Sequence, residues 1–223
     1  MNNSMVRRLV LKDWYFQRGV LLSYTLAGIA SLWLLSLGSE GAFYAGSVLL
    51  VTIVISLGIH LIMVTVINER KEQTLPFVMS LPISYREYTA AKVVANLVIF
   101  LVPWTVITAG SCAVVVVTGI PDGLIPFVIL VFTQLFAGYI LTLAAAVITE
   151  SVGWTIGAMV FGNLFIQYFM YAVSHNQAIA AGMKGTSVAW SWPAVSIMGA
   201  EVGVIVLLLA LTFYMQARKK DFL

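Results

Sequence analysis

LIPFVILVFTQLFAGYILTLAAAVI, residues 124–148, contains no Asp, Glu, Lys, Arg or His. A helix needs about 20 apolar residues to cross the ~30 Å of hydrocarbon in a bilayer, and this run exceeds that. Five more apolar runs lie to either side, at 19–37, 43–67, 93–118, 152–174 and 197–216. Across its 223 residues the chain is 61% hydrophobic and 9% charged, whereas soluble domains carry about 25% charged residues. A water-facing surface cannot be built from so few charges. The fold class is therefore an all-α membrane protein with six transmembrane helices, and residues 1–223 form a single transmembrane domain with no room for a soluble one of ordinary size.

The separators carry the topology. They are SLGSEG, a charged stretch at 68–92, GIPDG, TESVG and a longer segment at 174–196. With the N-terminus inside and the spans alternating, Arg7, Arg8, Lys12, Arg18, Arg70, Lys71, Arg86, Lys92, Arg218, Lys219 and Lys220 all fall in the cytoplasm. Of the 12 basic residues only Lys184 is left outside. The positive-inside bias selects this orientation, so both termini are expected to be cytoplasmic.

Residues 1–18 read as an amphipathic N-terminal helix on the inner leaflet. Val6, Leu9, Val10, Trp14 and Phe16 fall on one side and Arg7, Arg8, Lys12 and Arg18 on the other, with Leu11 and Asp13 as exceptions. No cleavable signal is expected there. Residues 174–196, too apolar for a solvated loop and too interrupted for a span, are expected to form re-entrant or interfacial helices before the sixth span. Trp190, Trp192 and Pro193 suit that interface.

Enzyme chemistry finds little purchase. There is no G-x-x-x-x-G-K-[ST] phosphate loop, no HExxH and no GxSxG, and His60 and His175 are far apart. Cys112 is the only cysteine, so neither an internal disulfide nor a thiolate metal site is suggested. The basic residues sit at the ends of spans rather than on a phosphate-binding face, and no nucleic-acid partner is expected. The intramembrane polar residues are His60, Asn96, Gln134, Asn163, Gln167 and Glu201. Each is costly in lipid, and each either bonds a neighbouring helix or lines a substrate path or gate. Glu201 is expected near the outer interface, where a carboxylate stays hydrated.

The charged stretch at 68–92 is the remaining anomaly. Glu69, Arg70, Lys71 and Glu72 lead into Thr74, Leu75 and Pro76, then an apolar ridge of Phe77, Val78 and Leu81 closed by Pro82. Proline is tolerated in the first turn of a helix and stops one it meets later. The pattern predicts a short helix between Pro76 and Pro82, with Ser84 capping the next. A short helix with an exposed apolar ridge and charged ends suits a groove on a cytoplasmic partner.

The residues Glu69, Arg70, Glu72, Thr74, Leu75, Leu81, Pro82 and Ser84, followed by Lys92 at the start of the next span, resemble the coupling segment of type 2 ATP-binding-cassette (ABC) export permeases. Gln73 stands where that family commonly has glycine, and Pro76 where it usually has a helix former. The resemblance implies a permease subunit of the cytoplasmic (inner) membrane. It would act with a second permease chain, in a homodimer, and with a separate cytoplasmic ABC ATPase. ATP and Mg would be held by that partner, and none by this chain. Glu69, Arg70, Glu72, Thr74, Leu75, Phe77, Leu81 and Pro82 would then carry the coupling. A secondary transporter or channel would instead require an ion site at mid-membrane, where no carboxylate is seen. A membrane enzyme would require a catalytic cluster that the sequence lacks.

Overall fold

The computed structural model describes residues 3–69 and 85–218, with side chains over 5–69 and 87–218. Every long element among them is helical, and no strand occurs among the described residues. The helices are α1 (Asn3–Leu35), α2 (Glu40–Ile62, continuing as a π turn over Met63–Asn68), α3 (Tyr85–Val117), α4 (Ile125–Thr149, entered from a 3₁₀ turn at Asp122–Leu124), α5 (Val152–His175), α6 (Gln177–Met183) and α7 (Trp192–Arg218). All but the short α6 are long and apolar enough to span a bilayer. The chain is a multi-pass membrane protein.

Local sequence fixes the turns. Ser39 takes a hydrogen bond from the Ala42 N–H at 3.2 Å and starts α2. Glu150 stops α4 in the left-handed conformation, with φ 58°. Asn176 closes α5 and caps α6, its Oδ1 accepting from the Ala178 and Ile179 N–H groups. Each turn reverses the chain, so successive spans run antiparallel. One end of the bundle collects the start of α1, Glu69 after α2, the start of α3 at Tyr85, the α4–α5 turn and Arg218; we call it the charged end. The α1–α2 and α3–α4 turns and α6 lie at the far end.

α4 is the hub. It packs against α5 and α7 and, through its other face, against α2 and α3; α1 lies on α2 and α3. A helix apolar all round can be buried all round, and Leu130, Ile140, Leu143 and Ala146 are almost wholly enclosed. Phe100 of α3 stacks on Tyr139 of α4 with ring centroids 3.9 Å apart, a contact worth about 0.5–1.5 kcal/mol beyond its area. Gly58 of α2 admits this stack: a Cβ there would sit 2.9 Å from the Tyr139 ring. At the far end the Gly123 N–H donates to the Gly185 carbonyl at 3.0 Å, and a Cβ on Gly123 would collide with the Gly182 carbonyl oxygen. Glycine at 123 is what seats α6 on the α3–α4 turn.

Two boundaries differ from the sequence reading. Residues 3–18 and the first apolar run form one unbroken helix, α1, rather than two pieces. The 174–196 segment contains one short helix, and α7 starts at Trp192 instead of near 197. Pro193 accounts for the early start, because its fixed φ and missing N–H suit the first turn of a helix. The expected short helix between Pro76 and Pro82 lies outside the described residues.

Candidate functional site

Two polar assemblies stand out, one at the charged end and one in the bundle. The first joins α1, α2 and α3. Lys92 Nζ lies 2.9 Å from Asp13 Oδ2 and 2.7 Å from Glu69 Oε2, while Lys12 Nζ lies 3.0 Å from Glu69 Oε1 and 3.4 Å from Asp13 Oδ1. The Tyr88 hydroxyl donates to Glu69 Oε2 at 3.3 Å. Two cations thus meet two anions in a ring of alternating charge. Lys92 and Asp13 are almost wholly buried, with side chains 5% and 6% exposed. Burial alone would push the Glu69 carboxyl upward, but Lys92 and then Lys12 outweigh it and hold the group below its ordinary value.

A π turn presents Glu69 to this ring. Over Met63–Asn68 the backbone widens at the end of α2, a rare feature often found at functional positions. Within it, Thr65 meets Asn96 of α3: the Asn96 Nδ2 donates to Thr65 Oγ1 and to the Lys92 carbonyl, each at 2.9 Å. The Tyr139 hydroxyl reaches the Asn96 carbonyl at 3.1 Å. Asn96 is therefore a fully buried structural tie among α2, α3 and α4, one turn beyond Lys92.

The second assembly is apolar with a polar thread. A cavity of about 480 Å³ lies toward the far end, walled by α2, α3, α4 and α5, with Leu35 of α1 and Met183 of α6 at its margins. Gln167 of α5 is the one side-chain amide in its wall. A smaller cavity of about 40 Å³, enough for water, lies deeper between α2, α4 and α5 and is lined by Gln134 and Asn163. Ile55 borders both cavities, so they adjoin. Asn163 and Gln167 stand four residues apart and share one face of α5.

The remaining residues expected from the sequence fall elsewhere. His60 rests its ring against Tyr24 of α1, with centroids 6.0 Å apart, and lines neither cavity. Glu201 is not hydrated at an interface. It is 5% exposed, and neither carboxyl oxygen has a hydrogen-bond partner among the described residues. With α7 starting at Trp192, Glu201 lies in its third turn instead of the second. Arg70, Glu72, Thr74, Leu75, Phe77, Leu81 and Pro82 lie outside the described residues.

Sequence reasoning missed Asp13, Thr65, Tyr88 and Tyr139, and it placed Lys12 on the polar side of a helix lying on the inner leaflet. Asp13 did leave a signal, as the one acid interrupting a basic amphipathic pattern. Among the described residues no group of three or more His, Cys, Asp or Glu could hold a metal ion. No known family model, curated protein or solved structure matches this chain.

Proposed function

We propose that this chain is the membrane-spanning permease subunit of a type 2 ABC exporter, working as a pair of permease chains with a separate cytoplasmic ATPase. The charged end faces the cytoplasm of a cell bounded by the cytoplasmic (inner) membrane, and ATP and Mg belong to the partner.

One observation carries the reading. Glu69, the acidic residue that opens the coupling-like stretch, is ion-paired to both α1 and α3. A push on residues 70–84 therefore reaches three spanning helices through one carboxylate, without first melting any of them. The lack of a phosphate loop in the sequence accords with ATP chemistry on another polypeptide. The six spans and the 480 Å³ cavity are the parts such a subunit needs: a bundle to rock and a place for cargo.

The test is to purify the chain after co-expression with ATPases from its own genome and to assay ATP hydrolysis. The expected result is co-isolation of one ABC ATPase, with no hydrolysis by this chain alone. Phe77→Ala and Leu81→Ala should weaken that association, because each anchor buried in a partner groove contributes about 1.5–3 kcal/mol. Glu69→Gln should leave the complex assembled while separating hydrolysis from transport. Robust hydrolysis by the isolated chain would overturn the reading.

A further inference from the structure

The wall of the 480 Å³ cavity is selective in what it leaves unsatisfied. Its serine and threonine hydroxyls are already committed: Ser47 donates to the Phe43 carbonyl, Thr52 to Val48 and Ser111 to Ile107, each within its own helix, which leaves the Tyr44 hydroxyl at the rim and the Gln167 amide open. No Asp, Glu, Lys, Arg or His lines the cavity. Gln167 is exposed and makes no hydrogen bond among the described residues; the half-buried amides of Asn163 and Gln134 in the adjoining small cavity also make none. Within a membrane, a side-chain amide without a partner is a standing cost. Three of them on adjoining cavities call for a guest or its water.

The same wall says what the guest is. An ionised group entering would lose its hydration with no counter-charge to meet it. A purely apolar guest would leave the Gln167 N–H groups unpaired. The volume falls within the 300–1,000 Å³ range of small-molecule sites. α2 packs on α1, α3 and α4, and α5 on α4 and α6, so the cavity fills the gap that α2 and α5 leave over α4. Tyr44 and Val48 of α2, both largely exposed, stand at its mouth where a molecule dissolved in the bilayer would enter.

We propose that this cavity binds an uncharged amphiphile, with one hydrogen-bond-accepting head on the Gln167 amide and an apolar body against α2, α3 and α4. Asn163 and Gln134 continue the polar thread inward and hold the water that follows the head. As a statement about cargo this rests on the export reading; as a statement about a binding site it does not.

The experiment uses the purified full chain in lipid nanodiscs and a diazirine-bearing analogue of 1-oleoylglycerol as photoprobe. Competitors are 1-oleoylglycerol, oleate and oleylamine, which share one chain and differ in charge. Crosslinks should fall on α2 and α5 peptides that line the cavity. Uncharged 1-oleoylglycerol should compete at least tenfold better than either ion. Gln167→Leu should weaken binding about tenfold, and Val128→Phe, which fills the cavity, should abolish the specific crosslinks. Equal competition by oleate, unchanged binding in both variants, or labelling spread evenly over lipid-facing positions such as Trp33 and Leu207 would each overturn the proposal. The assay needs no ATPase. A chain that binds the probe but captures no ATPase keeps the site and loses the export reading. A chain that captures one but treats all three competitors alike does the reverse.

Discussion

The two polar assemblies are built on opposite terms. At the charged end every charge of the ring is answered: Lys92 and Lys12 share Glu69 and Asp13 across three helices. In the adjoining cavities, none of the three amides has a partner among the described residues. A satisfied network fixes geometry, and breaking it leaves a buried charge stranded. An unsatisfied one holds nothing in place and is retained for something that visits. The ring is thus a joint and the cavity a seat, and the two should respond to mutation in opposite ways.

The sharpest way to break that contrast is Lys92→Met. It leaves Asp13 and Glu69 with only Lys12 between them, one cation short at the buried end of the ring, and the expected loss is about 3 kcal/mol, read as a fall in melting temperature in detergent. Adding Asp13→Leu should recover part of the loss. If Lys92→Met melts like the parent, the ring is not a joint.

Glu69 offers a gentler test of the same end. Glu69→Gln keeps the shape but removes the charge from bonds to two lysines, at a cost of about 1.5–3 kcal/mol. Acid should do the same reversibly. Because the folded carboxyl sits below its ordinary value, its contribution is full above pH ~4.3. It is lost only as pH falls through the lowered folded value. Melting curves of parent and Glu69→Gln should therefore converge in acid. A constant gap down to low pH would show that the ring does not stabilise through this charge.

At the far end, the roof rather than the wall should be sensitive. Gly123→Ala drives a methyl into the Gly182 carbonyl, and backbone cannot swing aside as a side chain can. The expected cost is about 1–3 kcal/mol, with α6 and residues 184–191 becoming open to protease. Intact protection would mean that α6 is held by something other than this turn.

The smallest effect is the most telling. Gln167→Leu and Asn163→Leu should change stability by no more than about 0.5 kcal/mol, since no bond is lost. A large loss for either would show that its amide holds the fold together, and the contrast between joint and seat would collapse.

The number and order of the spans were legible in the chain itself. An unbroken run such as 124–148 has no option in lipid but a helix, because each backbone group must find its partner within the segment. Ser39 and Asn176 marked their own turns for the same local reasons. Gln134, Asn163 and Gln167 could be picked out as costly residues, yet nothing in the sequence told them apart from Asn96. Only packing separated them: α2, α3 and α4 close around Asn96 and satisfy it, whereas the gap between α2 and α5 leaves the other three open. Asp13, Glu69 and Lys92 are likewise three ordinary charges until the bundle brings residues 79 apart in the chain to within 2.9 Å. Composition and periodicity act on neighbours in sequence, and they decided what crosses the membrane. Which polar groups are spent and which are free depends on contacts between distant helices, and only the tertiary structure decided that.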